Sequence, residues 1–125
     1  MMAPQVVAVI GASTDRRKYG NKAVRAFLHQ GYTVVPVNPA GSDVEGLPGY
    51  RSVLDVAGHI DIATLYVPPA IGREILEEVA RKGIREVWLN PGADSPAVVA
   101  RAQELNLTTV VACSIRRIGE SPADY

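Results

Sequence analysis

Cysteine is almost missing from this sequence. Cys113 stands alone, so no internal disulfide can form, and a reducing compartment is its natural setting. Histidine is nearly as scarce: His29 and His59 with one thiol do not make a metal site of recognisable spacing. Net charge is missing too, since 13 Lys and Arg balance 13 Asp and Glu, which excludes the strongly basic balance of a general nucleic-acid binder. No segment approaches the roughly 18 consecutive apolar residues that span a bilayer. Met1 to Gln5 lack the basic start and long apolar stretch of a signal peptide. The expectation is a soluble, cytoplasmic protein that engages neither nucleic acid nor membrane. Repeats, linkers and low-complexity tracts are also absent. At 125 residues, 47% hydrophobic and 21% charged, the chain reads as one globular domain, 1–125.

What is present is an alternation of strand and helix signals. Val6 to Ile10 form a continuous β-branched run of the kind found where a strand is covered on both faces. Ala23, Val24, Phe27 and Leu28 recur at helical spacing, with Gly31 where a helix ends. A second buried strand is expected over Thr33 to Val37, where Pro36 removes one ladder donor. Asp43 to Ile60 is irregular, and a short edge strand near Val44 to Leu47 and a helical turn around Ser52 to Ala57 are expected there. Further strands are expected over Asp61 to Val67, Glu86 to Leu89 and Thr108 to Ala112. A helix after Pro68-Pro69 closes at Gly83, and another opens at Ser95-Pro96. This rhythm implies an α/β, Rossmann-like open sheet, mainly parallel, with right-handed crossovers and helices on both faces. Such a sheet binds ligands beyond the carboxyl ends of its strands, where strand order reverses.

The loops at those ends carry the functional signal. Gly11-Ala12-Ser13 is a small-residue turn that lets backbone N–H groups approach a phosphate, although the spacing of a G-x-G-x-x-G dinucleotide loop is not there. Arg16, Arg17, Lys18, Lys22 and Arg25 follow against Asp15 alone, so the rest of the chain is net acidic. A basic cluster beside such a turn suits a polyanionic small molecule better than a long nucleic acid. After the second strand Asn38-Pro39 stands where a dinucleotide dehydrogenase usually places a carboxylate for the ribose diol, which counts against NAD. Pro68-Pro69 and Asn90-Pro91-Gly92 bring no obvious acid, base or nucleophile.

Val9-Ile10-Gly11-Ala12-Ser13, Lys18-Tyr19-Gly20-Asn21, Gly31-Tyr32 and Val35-Pro36-Val37-Asn38-Pro39 together resemble the small stand-alone CoA-binding proteins. These are similar to the N-terminal CoA-binding domain of the succinyl-CoA synthetase alpha subunit. The resemblance extends through Asp61 to Pro69, Val87-Trp88 and Cys113. It implies that Gly11, Ala12 and Ser13 meet phosphates and that Arg17 or Lys18 neutralises them. It further implies that Val37, Asn38 and Pro39 flank the adenosine, Val67, Pro68 and Pro69 line the far wall, and Asn90 to Gly92 close the floor near the pantetheine. Ala40 departs from the family, which often has a basic residue there. So do Asn90-Pro91 and the run after Cys113, and the phosphohistidine domain of the larger ligase has no counterpart in this chain.

Cys113 is read as a small buried hydrophobe in preference to a partner for the CoA thiol. Trp88 is read as core, and His29 and His59 as surface residues. Tyr19 is open between stacking on a ligand and packing over the first helix. The expected function is binding of coenzyme A or an acyl-CoA by a stand-alone carrier, sensor or regulatory module without self-contained catalysis. The alternatives are an NAD(P)-dependent oxidoreductase and a nucleotide-binding subunit of an acyl-CoA synthetase that needs a partner chain. A homo-oligomer or a partner subunit is compatible with either.

Overall fold

The computed structural model describes residues 4–125; Met1 to Ala3, on which the reading of the N-terminus partly rests, lie outside them. The elements are β1 (Val6–Ile10), α1 (Tyr19–His29), β2 (Thr33–Val37), β3 (Ile62–Leu65), α2 (Pro69–Lys82), β4 (Glu86–Leu89), α3 (Pro96–Glu104), β5 (Thr108–Val111) and α4 (Ser114–Arg117). The five strands pair in parallel in the order β2-β1-β3-β4-β5.

Strand alternation sorts the core into two halves. Val7, Val9, Ile62 and Trp88 pack with Val24, Phe27 and Ile115 on the α1 and α4 side. Ala8, Ile10, Ala63, Leu65, Val87 and Leu89 pack with Leu76, Val79, Val98 and Ala102 on the α2 and α3 side. Coverage of both faces is why the strands read as unbroken apolar runs. Pro36 is tolerated because β2 is an edge strand with β1 as its one strand neighbour. Ser95 caps α3 by accepting from the Val98 N–H, and Gly83 closes α2 in the left-handed conformation.

Three expectations shift. The edge strand near Val44 to Leu47 is a tight turn: Val44 and Leu47 exchange backbone hydrogen bonds of 3.1 and 2.9 Å around Glu45 and Gly46, both at positive φ. This is hairpin-turn chemistry with no strand length behind it. The helical turn expected at Ser52 to Ala57 is a 3₁₀ turn over Val53–Asp55, with the Ser52 hydroxyl accepting from Leu54 N–H. The strand expected from Asp61 begins at Ile62, because the Asp61 carboxylate turns back to accept from the Val6 N–H at 2.7 Å.

The C-terminal tail returns to α1. Glu120 accepts from the Tyr125 hydroxyl at 2.6 Å and meets His29 at 3.0 Å, and Arg25 lies over the Tyr125 ring. The hydrogen bonds to Glu120, from Tyr125 first and then from the Gln30 amide and His29, hold its carboxyl down at about 2.

Candidate functional site: the carboxyl edge of the sheet

β1 lies next to the edge strand, with β2 on one side and β3 on the other, so the reversal of strand order falls at the Gly11 turn. Gly11 has φ +95°, and a Cβ there would lie 2.4 Å from the Tyr66 carbonyl oxygen. α1 begins close by, since a Cβ on Gly20 would lie 2.0 Å from the Gly11 carbonyl oxygen. The Gly11 and Ala12 N–H groups both donate to the Val37 carbonyl, at 2.9 and 3.1 Å. These two amides therefore tie the turn to β2 and are not free for a phosphate. Donors left at the turn include the Ser13 hydroxyl, whose oxygen accepts from Asp15 N–H at 3.0 Å, and the Tyr19 and Gly20 N–H groups. Neither of those two amides has an acceptor among the described residues.

The basic cluster does not face the cleft as a unit. Arg16 pairs with Glu45 at 3.3 Å. Arg17 forms a two-pronged pair with Asp15 at 3.1 and 3.0 Å and holds that carboxyl down at about 2. Lys22 donates to the Pro122 carbonyl at 3.4 Å, and Arg25 donates to Asn21 at 2.7 Å. Lys18 lines the cleft, with no carboxylate paired to it among the described residues. The expectation for Arg17 is thereby narrowed: its guanidinium sits on Asp15, outside the cleft lining.

The cleft has three joined chambers. The central one, about 600 Å³, gathers Gly11, Ala12, Ser13, Lys18, Pro39, Val67, Pro68, Pro69 and Gly92. A second chamber of about 240 Å³, on the β2 side, is floored by Val37, Pro39, Val67 and Ile75 and also meets Asn38. A third of about 300 Å³, on the β4–β5 side, lies between Tyr66, Cys113 and Arg116. The second shares Pro39 and Val67 with the central chamber, and the third shares Tyr19, Tyr66 and Pro91 with it.

Two predicted residues spend their amides on the fold. The Asn38 side chain donates to the Ser42 carbonyl at 3.0 Å and accepts from the Ser42 N–H at 2.9 Å, which shapes the loop after β2. Asn90 is 2% exposed. Its Nδ2 donates to Thr64 Oγ1 at 2.8 Å and the Leu65 carbonyl at 2.9 Å, while Oδ1 accepts from Ser114 N–H at 2.8 Å. The floor role expected for the Asn90 side chain is narrowed: it fastens β3, β4 and α4 together with both Nδ2 hydrogens in use, while the residue also borders the third chamber.

Tyr66 and the Tyr19 and Gly20 amides escape the sequence reading. Tyr66 was legible in principle, since it continues the alternation Ile62, Thr64, Tyr66 toward the α1 and α4 side. Trp88 is core, and His29 and His59 are largely exposed. Cys113 is only partly buried and borders the third chamber, contrary to the burial expected of it. Among the described residues no group of three His, Cys, Asp or Glu could hold a metal, and no helix is long and apolar enough to cross a membrane.

Known proteins resemble this chain in sequence and fold. The alpha subunit of ADP-forming acetate–CoA ligase II from Pyrococcus furiosus is 36% identical over 85 residues, which cover 67% of this chain and 19% of that subunit. The chain thus spans about a fifth or less of the length of the first curated relatives it matches. A hypothetical protein from Pyrococcus horikoshii superposes with a TM-score of 0.83 at 32% identity, covering 88% of this chain and 78% of that one. A dinucleotide-forming acetyl-coenzyme A synthetase 1 from Ca. Korarchaeum cryptofilum superposes with a TM-score of 0.74 at 26% identity, covering 85% of this chain and 25% of that one. Residues 5–117 match the model of the CoA binding domain, and the chain belongs to that family.

Proposed function

We propose that the three-chambered cleft binds coenzyme A or an acyl-CoA. The observation that carries this reading is the order of the chambers. A cationic, donor-bearing centre at the Gly11–Ser13 turn is flanked by a slot with an apolar floor on one side and by a chamber bordered by Tyr66, Cys113 and Arg116 on the other. A ligand with phosphates in its middle and unlike ends fits that order. The purine would sit against Val37 and Pro39, and the phosphates would meet Ser13, Lys18 and the Tyr19 and Gly20 amides. Val67, Pro68, Pro69 and Gly92 would line the pantetheine arm. Asn38 is committed to Ser42 and β2 ends without a carboxylate, so the position that usually holds the ribose diol of NAD is not furnished for it.

The cleft lining holds no paired acid and base and no activated nucleophile, which favours a carrier, sensor or regulatory module over turnover. A second reading is a nucleotide-binding subunit of an acyl-CoA synthetase, and it is favoured by the far greater length of the ligase relatives. In that case the reacting groups come from a partner chain.

Calorimetric titration of ligand-stripped protein with CoA, NADP and NAD tests the proposal. Heat of binding is expected with CoA. Binding of NADP with none of CoA would sink it.

A further inference from the structure

The tail after α4 reaches the cleft through the first helix. Ile118 to Tyr125 lie beyond the stretch shared with the CoA binding domain, so membership of that family gives them no part to play. Asn21 is fully buried in α1, and its whole amide is in use. Its Nδ2 donates to the Ser13 carbonyl at 2.9 Å and to the Glu45 carboxylate at 3.1 Å, while Oδ1 accepts from Arg25 Nε at 2.7 Å. This amide has one orientation, because Arg25 can only donate whereas the Ser13 carbonyl and an ionised Glu45 can only accept. Arg25 also donates to the Arg16 carbonyl at 2.9 Å, so one guanidinium fastens both the amide and the loop beyond the turn.

The tail holds that guanidinium in place. The Tyr125 ring lies 5.4 Å from it, a distance at which a cation is attracted to a ring face. The Tyr125 hydroxyl donates to Glu120, which also accepts from the Gln30 amide just past α1. A second route is shorter. Lys22 donates to the Pro122 carbonyl at 3.4 Å and lies over the Tyr19 ring at 5.4 Å, and Pro122 and Tyr19 both line the third chamber. One route thus ends at Ser13 and the other at the first residue of α1, the two places that bring donors to the central chamber. Freed from Tyr125, Arg25 can swing to solvent, which leaves Asn21 Oδ1 an unpaired acceptor in the interior. That state is costly, and the turn relieves it by moving.

We infer that Glu120 to Tyr125 form a positioning element of the binding cleft, in which Tyr125 fixes Arg25, Arg25 fixes the Asn21 amide, and Asn21 fixes the Ser13 peptide beside the ligand's phosphates. This rests on the CoA reading above, which puts the phosphates at Ser13. Asn21, Arg25 and Tyr125 act through one another and touch no ligand themselves. Such coupling is reciprocal: whatever affinity the docked tail lends the ligand, the bound ligand returns as tighter docking of the tail.

Calorimetric titration with CoA compares the unaltered chain with Tyr125→Phe, Tyr125→Ala and Arg25→Met, and melting curves check that each is folded. Tyr125→Ala should weaken CoA about fivefold, the scale of a cation–ring contact with one hydrogen bond. Tyr125→Phe keeps the ring over Arg25 and should lose less, while Arg25→Met should lose at least as much as Tyr125→Ala. Hydrogen exchange supplies the readout that a tail merely packed on α1 would not move. The Glu120 and Tyr125 amides donate to the Ile115 and Pro122 carbonyls, and neither residue lines a chamber of the cleft. Saturating CoA should slow their exchange several-fold in the unaltered chain and leave it unchanged in Arg25→Met. CoA affinity untouched by Tyr125→Ala, tail exchange indifferent to CoA, or slowing that survives Arg25→Met each overturns the inference while the CoA reading stands. Failure of the unaltered chain to bind CoA overturns that reading, and the inference with it.

Discussion

The loops after β1 and β4 both border the central chamber, and each turns on a glycine at φ +95°, Gly11 in one and Gly92 in the other. Beyond that shared conformation they differ. The first leaves the Lys18 ammonium, the Ser13 hydroxyl and two helix-start amides toward the cleft, while the second sends its one amide side chain, Asn90, inward to three partners. The glycines differ as well. A Cβ on Gly11 strikes the Tyr66 carbonyl, whereas a Cβ on Gly92 meets nothing within 4 Å. One loop is built to present groups and the other to lock the floor beneath them, and local backbone shape does not distinguish the two.

The most severe way to break this contrast is at the glycines. Gly11→Ala combines left-handed strain with a backbone clash and should cost about 4 kcal/mol, while Gly92→Ala carries the strain alone, about 1 kcal/mol. Urea denaturation of both variants measures this, and equal losses would erase the distinction. Next comes Asn90→Ala, which strands the Thr64, Leu65 and Ser114 groups in the interior. A loss of about 3 kcal/mol is expected. A loss within the range of an ordinary surface change would mean that the Asn90 network is not holding the floor.

Smaller effects separate the two cations of the first loop. Lys18→Met should weaken CoA about tenfold, and Arg17→Met should change it less than about twofold, because Arg17 is already held by Asp15. If Arg17→Met were the more damaging, the cleft-facing cation has been misidentified. The smallest effect is a titration. Asp15 has a folded pKa lowered to about 2 from 3.8, chiefly by the Arg17 side chain. The sign follows: whatever the pair contributes is complete above pH 3.8 and fades as the pH falls through about 2. Carboxyl carbon shifts followed by NMR should give that midpoint, and in Arg17→Met it should move up toward the ordinary carboxylate range. An unmoved midpoint would remove Arg17 as the cause.

The sheet was legible because each strand is covered on both faces and so carries a continuous apolar run, and Ser95-Pro96 and Gly83 mark helix ends by local chemistry alone. The fate of the charges was not legible. Arg16, Lys22 and Arg25 are occupied by Glu45, the Pro122 carbonyl and Asn21, partners set by the hairpin turn, the returning tail and the helix register together. Asn90 was legible only in part for a related reason: an amide at a strand end reads as a ligand contact, and only the positions of Thr64 and Ser114, far away along the chain, show that it is also a fastening. The irregular stretch from Asp43 to Ile60 held its elements together by single bridges and caps, which leave no periodic trace.

The Val37 carbonyl receives both the Gly11 and the Ala12 amide. Those two bonds make the floor of the apolar slot and the central turn one rigid piece, set when the sheet forms. A ligand that spans both chambers then arrives at walls already aligned, and little chain entropy remains to be lost on binding at these two places. Affinity there is decided during folding, and a variant that loosens the Val37 junction should bind more weakly even though it removes no atom the ligand touches.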